Sequence, residues 1–307
     1  MNYVFAGTDE FAVKLIDLFS NAYRLPGQVI TQKPKPKGRG LKIQPTPVAE
    51  WARNKGISVI ELGSFSEIQE RSDFKSFKFL LVCSFGLYIP EWFTSNFEYT
   101  LNFHPSLVPE YRGAAPIRRA LMDGKEKTGV SLIEVSREMD AGRIYARKEV
   151  GIKPDDNYKT LSERLIAEGL PLLLETVKKI ESGKAVLEEQ RGKPTYASKI
   201  SKDELWIDWS EPATAVYNRI RALSPDLGAR TLFRGRQLKI LAARPVEDVG
   251  GKPGEVLEVK RTGILVACGK GGLEILEVQP ENSRVISAAE FVNGYRPQAG
   301  EMLKQRK

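Results

Sequence analysis

Residues 79–85 read FLLVCSF, a short run whose only polar side chain before the last phenylalanine is Ser84. A strand with one wet face alternates apolar and polar residues. A continuous apolar run of this length instead predicts a strand buried on both faces, as in a parallel sheet with helices above and below. Reading outward, NYVFAG (2–7), QVIT (28–31) and SVIE (58–61) are β-rich runs before it, and YTLNF (99–103), GVSLIEV (129–135) and RIYARKEV (143–150) follow it. Between the first two, FAVKLIDLF (11–19) places Phe11, Leu15 and Leu18 on one helical face. Alternating β and α units predict an α/β class fold: an open, mostly parallel, Rossmann-like sheet covered by helices. The turn after the first strand is GTDEFA (7–12), not GxGxxG, which argues against a nicotinamide or flavin cofactor.

From Lys159 to Gly183 the pattern is helical, with Leu161, Leu165, Leu172, Val177 and Ile180 apolar; Gly169 and Pro171 predict a kink or break. Beyond a WIDW segment and one helix around Ala213–Leu223, the texture changes. ARTLFRGRQLKILAARPV, GEVLEV, GILVACG, GLEILEVQ and the closing segment read as short strands between Gly and Pro turns. That is the pattern of a small antiparallel β-barrel, OB-like in size. The expected domains are 1–189, a basic linker at 190–204, and 205–307.

Composition suits a soluble globular protein: 307 residues, 41% hydrophobic and 28% charged. No apolar run approaches the roughly 18–20 residues that span a bilayer. MNYVFAGTDEF reads as a first strand, so no cleaved targeting segment is expected and the cytoplasm is the expected compartment. Cys83 and Cys268 lie far apart in apolar runs, as buried reduced thiols, and no cluster of metal-ligand type is present. The net charge of +8 is unevenly placed. Residues 31–42 carry Lys33, Lys35, Lys37, Arg39 and Lys42 with no acid, and residues 190–202 carry Arg191, Lys193, Lys199 and Lys202 with none. Two unbalanced basic loops favour a polyanionic partner.

The chemistry-bearing stretch is LNFHPSLVPEYRGAAP (101–116), which contains His104, the only histidine of the chain. In a strand, residues i and i+2 share a face, so Asn102 and His104 emerge together while Phe103 turns to the core. Pro105 ends the strand. An amide donor beside an imidazole suits acyl transfer: the amide binds a developing oxyanion, and the imidazole binds or moves a proton. The ring needs an orienting carboxylate, for which Asp140, Asp123 and Asp9 compete. Ser106 lacks the G-x-S-x-G elbow of a nucleophilic serine.

These segments together resemble the methionyl-tRNA formyltransferase family over nearly the whole chain. NFHPSLVPEYRGAAPI (102–117) is similar to its Asn-x-His-x-Ser-Leu-Leu-Pro motif followed by Arg-Gly-Ala-Ala-Pro-Ile. GTDEFA (7–12), KPKGRGLKIQPTPV (35–48), TYASKISKDELWIDWS (195–210) and SAAEFVNGYRPQAGEML (287–303) resemble its opening, its Gly-Arg-Gly loop, its linker and its carboxyl end. Val108 stands for a usual Leu, Glu110-Tyr111 for Arg-Trp, Ala141 for Thr, and Ser224-Pro225 for Asn-Pro. None of these removes a group the reaction needs.

The resemblance implies formyl transfer from 10-formyltetrahydrofolate, a co-substrate, to the α-amine of methionyl initiator tRNA, without a metal. It implies Asn102, His104 and Asp140 as catalytic residues. Ser106, Leu107, Val108 and Pro109, with Gly86, Leu87 and Ile89, would cradle the folate. Arg39, Lys33, Lys35, Lys37, Lys42, Arg191 and Lys193 would contact tRNA. A monomer is expected. Rival readings are a formyltransferase for a nucleotide-linked amino sugar, which would not need the basic 31–42 loop, a purine-pathway formyltransferase, and a non-catalytic RNA-binding protein on the same scaffold.

Overall fold

The computed structural model describes residues 1–37, 42–71 and 73–305. The chain divides into two compact units: Met1–Pro116, Lys127–Gly151 and Ser162–Ser198 form one, and Ile117–Glu126, Ile152–Leu161 and Lys199–Lys307 form the other.

The elements run β1 (Tyr3–Gly7), α1 (Glu10–Ala22), β2 (Gln28–Gln32), β3 (Lys35–Lys37), β4 (Lys42–Gln44), α2 (Pro47–Asn54), β5 (Val59–Leu62), β6 (Phe79–Cys83), α3 (Glu91–Thr94), β7 (Tyr99–His104), α4 (Pro116–Met122), β8 (Lys127–Ile133), β9 (Ile144–Gly151) and α5 (Tyr158–Glu181). The first unit is built on a sheet of order β5-β2-β1-β6-β7-β8-β9. Its pairs from β5 to β7 are parallel and the last two are antiparallel. Every residue of β1 and β6 is buried, as their unbroken apolar runs require of central strands. The β7–β8 register sets Asn102 opposite Ile133 and His104 opposite Ser131, at the carboxyl end of the parallel strands.

Several expectations are revised. The buried face of α1 is Phe11, Ala12, Leu15, Ile16 and Phe19, whereas Leu18 is 45% exposed. At 100° per residue these five positions span an arc of about 140° with position 19 near its middle, and position 18 falls outside that arc. The 159–183 pattern forms one helix, α5, which carries Pro171 inside it. Gly169 has a packing cause: a Cβ there would lie 2.4 Å from the Phe103 ring. The stretch 31–42, read as a loop, contains β3 and the first residue of β4, which pair antiparallel. Residues 38–41, with Arg39, lie outside the described residues.

The second unit contains α6 (Ala213–Leu223), β10 (Ala229–Phe233), β11 (Arg236–Val246), β12 (Val256–Lys260), β13 (Gly263–Ala267), β14 (Gly272–Pro280), β15 (Ile286–Ser287), α7 (Ala288–Tyr295) and β16 (Leu303–Lys304). Its antiparallel sheet runs β12-β13-β14-β11-β10-β16, with β15 on β14. The sheet curls into a half-barrel whose two ends are drawn together by a bridge between Glu255 and Met302. The core is Ile207, Val216, Ile240, Val256, Val266, Ile275, Val278 and Phe291, all nearly solvent-free. Within the closing segment, read as strands, residues 288–295 are helical. Ser287 accepts from the Glu290 N–H while the Glu290 carboxylate accepts from the Ser287 N–H, a capping box.

Candidate active site

Residues 102–113 leave β7 and turn back through a tightly bonded loop. Its conformation is set from inside. The Ser106 hydroxyl donates to the Glu110 carbonyl (2.6 Å), the Ser106 carbonyl accepts from the Ser131 hydroxyl (2.7 Å), and the Val108 N–H donates to that same hydroxyl (3.2 Å). Ser106 and Val108 are both fully buried, the latter in a cluster with Ile133 and Ile144. Of the four residues in this expected folate segment, Leu107 and Pro109 are the ones that reach the surface.

Asn102 and His104 stand on one side of β7, as period 2 requires, and converge on Asp140. The Asn102 amide donates to Asp140 Oδ1 at 2.9 Å. His104 Nδ1 lies 3.5 Å from Asp140 Oδ2, and the Gly113 N–H donates to that same oxygen at 2.8 Å. Asp140 comes from the β8–β9 connection, where its backbone takes φ 51°. Left-handed backbone suits Asp better than most residues, because its short side chain bonds locally. Asp9 is occupied elsewhere: it caps α1 through the Ala12 N–H and accepts from the Ser84 hydroxyl.

The other ring nitrogen settles the tautomer. His104 Nε2 lies 2.9 Å from the Tyr111 carbonyl oxygen. A carbonyl only accepts, so Nε2 carries a proton. A neutral ring would then point a bare Nδ1 lone pair at a carboxylate. Nδ1 is thus the ring nitrogen that faces Asp140. The ring is 4% exposed, so its contact with Asp140 is shielded from bulk water. Tyr111 aims its carbonyl from a left-handed backbone, φ 56°. The glycine beside it, Gly113, at φ 122°, sits where a Cβ would be 2.9 Å from the Ala197 carbonyl oxygen.

Three groups at this centre were not singled out from the sequence: the Tyr111 carbonyl, the Gly113 N–H, and the side chain of Gln190, whose Nε2 donates to the Asp140 and Gly142 carbonyls at 2.8 Å each. Backbone groups leave no residue-type signature. Gln190 is far away in sequence and sits in a stretch read only for its charge. The chain at 195–197 pairs with 109–115: the Thr195 N–H donates to the Pro109 carbonyl (3.1 Å), the Arg112 N–H to the Thr195 carbonyl (2.9 Å) and the Ala115 N–H to the Ala197 carbonyl (3.1 Å).

Other expected site residues lie around this centre. Gly86, exposed at φ 74°, follows Phe85, whose carbonyl accepts from Thr8 Oγ1 and Gln32 Nε2, each at 2.7 Å. Leu87 is half-buried and Ile89 is core. Lys35 donates to Gln32 Oε1 (2.6 Å), and exposed Lys33 pairs with Glu67 (2.7 Å), which holds that carboxyl below its usual range. Arg191 and Lys193 are exposed. Lys37 and Lys42 lie on the paired strands β3 and β4, and Arg39 lies outside the described residues. Burial pushes the Cys83 thiol well up and that of Cys268 to about 12, so both stay protonated and inert. Among the described residues no group of three or more His, Cys, Asp or Glu is placed to hold a metal ion. No helix among them is long and apolar enough to cross a membrane.

Comparison with known proteins adds a second line of argument. The formyl transferase family model matches residues 2–177, and the model for the formyl transferase C-terminal domain matches residues 199–296. A methionyl-tRNA formyltransferase of Sulfurihydrogenibium sp. (strain YO3AOP1) is 41% identical over 312 residues, covering 99% of this chain and 100% of that protein. Among solved structures, HypX from Aquifex aeolicus in complex with tetrahydrofolic acid matches with a TM-score of 0.67 and 18% identity, over 98% of this chain and 48% of that one. Methionyl-tRNA formyltransferase from Clostridium thermocellum matches with a TM-score of 0.56 and 16% identity, over 90% of this chain and 99% of that one. These two share the fold. With two family models covering most of its length and a relative of this identity matching it end to end, the chain belongs to the methionyl-tRNA formyltransferase family.

Proposed function

We propose that this enzyme transfers a formyl group from 10-formyltetrahydrofolate to the α-amine of methionyl initiator tRNA by direct attack of the amine, with Asn102, His104 and Asp140 as its catalytic residues. The observation that carries this reading is the convergence of Asn102 and His104 on one carboxylate at the carboxyl end of the sheet. Binding sites in open α/β sheets lie at that end. The tetrahydrofolate-bound HypX structure, of the same fold, supports a folate donor.

The residues divide the work. Asn102 has a second amide hydrogen besides the one given to Asp140, and it donates to the oxygen that gains charge as the amine adds. Asp140 and His104, 3.5 Å apart, take a proton from the attacking nitrogen and return one to the departing nitrogen through water. The Tyr111 carbonyl fixes the far side of the ring, so that only the Nδ1 side exchanges. Ser106 and Val108 shape the loop from within, while Leu107, Pro109, Gly86 and Leu87 offer apolar surface and backbone groups to the folate. Ile89 supports that surface from the core. Lys33, Lys35, Lys37, Arg39 and Lys42, with Arg191 and Lys193, meet tRNA phosphates. The domain expected over residues 205–307 holds the tRNA, and the chain works as a monomer in the cytoplasm.

The test offers labelled 10-formyltetrahydrofolate with three competing acceptors: charged initiator tRNA, charged elongator tRNA and an amino-sugar nucleotide. Label is expected on initiator tRNA. Preference for the amino sugar would overturn the acceptor assignment. His104→Ala is expected to lower the rate about 100- to 1,000-fold while tRNA binding persists.

A further inference from the structure

Behind Asp140 lies a side chain that none of the catalytic steps above uses. Gln190 Nε2 donates to two carbonyls of the Asp140 turn, those of Asp140 and Gly142, each at 2.8 Å. Its Oε1 accepts from Arg112 Nε (3.1 Å) and Nη2 (2.8 Å). The third Arg112 nitrogen, Nη1, pairs with Glu138 at 3.2 Å on the same turn. Resting on the catalytic reading above, we propose that Gln190 is a positioning residue: its amide clamps the turn that presents Asp140 to Asn102 and His104, and Arg112 fixes which way the amide faces.

The orientation follows from chemistry. Arg112 has donors only, so it must face Oε1, and this turns both Nε2 hydrogens toward the two carbonyls. The turn needs such an anchor. Asp140 is in the left-handed region, and Gly142 is wedged where a Cβ would sit 1.8 Å from the Glu134 carbonyl oxygen. The Asp140 and Gly142 carbonyls lie in the connection between β8 and β9, which end at Ile133 and begin at Ile144. Gln190 joins points 50 residues apart in the chain, and Arg112 reaches it across 78. The anchor is therefore tertiary, and it fixes where the carboxylate stands relative to the ring. A small displacement there matters, because misplacement of a reacting group by about 1 Å can cost roughly 100-fold in rate.

Gln190→Glu is the discriminating variant. It keeps a partner for Arg112 but removes both donors and sets an oxygen against two carbonyls. Gln190→Met, which adds no charge, is the second. For each, kcat and KM are measured for formyl transfer to methionyl initiator tRNA. The ring nitrogens of His104 are followed by 15N resonance; the sole histidine gives one unambiguous pair of signals. We expect kcat about 10- to 100-fold lower with KM for both substrates within about twofold of wild type. The Nδ1 signal should move, while Nε2, held by Tyr111, stays. A wild-type kcat overturns the inference. So does a lowered kcat with an unmoved His104 spectrum, since the loss would then not pass through the turn. His104→Ala in the same assay separates the two proposals. An active His104→Ala removes the catalytic reading itself, whereas an inactive one beside fully active Gln190 variants removes only the role of Gln190.

Discussion

At Asp140 and Gly142 the backbone geometry and the chemistry are set together. A non-glycine residue in the left-handed region costs of order 1–3 kcal/mol, and here it is held by the Gln190 amide and the Gly113 N–H. Gly142 allows no relaxation: the atom a Cβ would strike is the Glu134 backbone oxygen, 1.8 Å away. Gly142→Ala should therefore lower stability by about 1–3 kcal/mol, read as a fall in Tm, and should reduce activity more than Tm alone explains, because the strained turn carries Asp140. An unchanged Tm would show that the turn yields. At this scale the sequence was legible where chemistry follows strand period: Asn102 and His104 share a face because they are two apart. It was silent where a partner arrives through space. Asp140, Asp9 and Asp123 read alike as carboxylates, and only folding shows that Asp140 is the one beside His104 while Asp9 caps α1.

Helix α5 presents two elements whose local preferences oppose their packing. Gly169 lies within it, where alanine has the better helix propensity by about 1 kcal/mol. Its missing Cβ is nevertheless what lets the helix lie on Phe103, which is 1% exposed and cannot move aside. Gly169→Ala should destabilise by about 1–3 kcal/mol, overpacking outweighing propensity, and a raised Tm would contradict the packing account. The opposite case is α4, where Arg119 pairs with Glu204 and holds that carboxyl near 2, below its ordinary 4.5. A depressed folded pKa adds stability above about 4.5, and this is lost as pH falls toward 2. Glu204→Gln should therefore show a Tm deficit at neutral pH that closes on acidification, measured by thermal unfolding across that range. A deficit independent of pH would remove the ion pair as its cause. Element identity was legible wherever one period ran unbroken, as in β1 and β6. It failed at α7, where short apolar spacing was read as strand although Ser287 and Glu290 already spelt a capping box.

For the whole molecule, charge placement and catalytic geometry make separate demands. A net charge of +8, with five basic residues and no acid over 31–42 and with Arg191 and Lys193 exposed, suits a phosphate-rich acceptor. If these groups meet tRNA, the logarithm of affinity should fall linearly with the logarithm of salt concentration, by about 0.7–0.9 per phosphate neutralised. Replacing Arg191 and Lys193 together by alanine should make that slope shallower while leaving the chemical step intact. An unchanged slope would place tRNA elsewhere. The parallel sheet and the curled second sheet were both legible because each is a repeated local pattern. The clamp by Gln190 was not, since it depends on α5 returning the chain to a turn laid down 50 residues earlier. The most direct test of the catalytic reading is single-turnover formyl transfer by Asp140→Asn on saturating methionyl initiator tRNA. Asparagine also tolerates left-handed backbone and keeps the size of the side chain, but it can no longer accept a proton. A rate at least about 100-fold below wild type, with unchanged tRNA affinity and Tm, is the result predicted; a rate within a few-fold of wild type would contradict it.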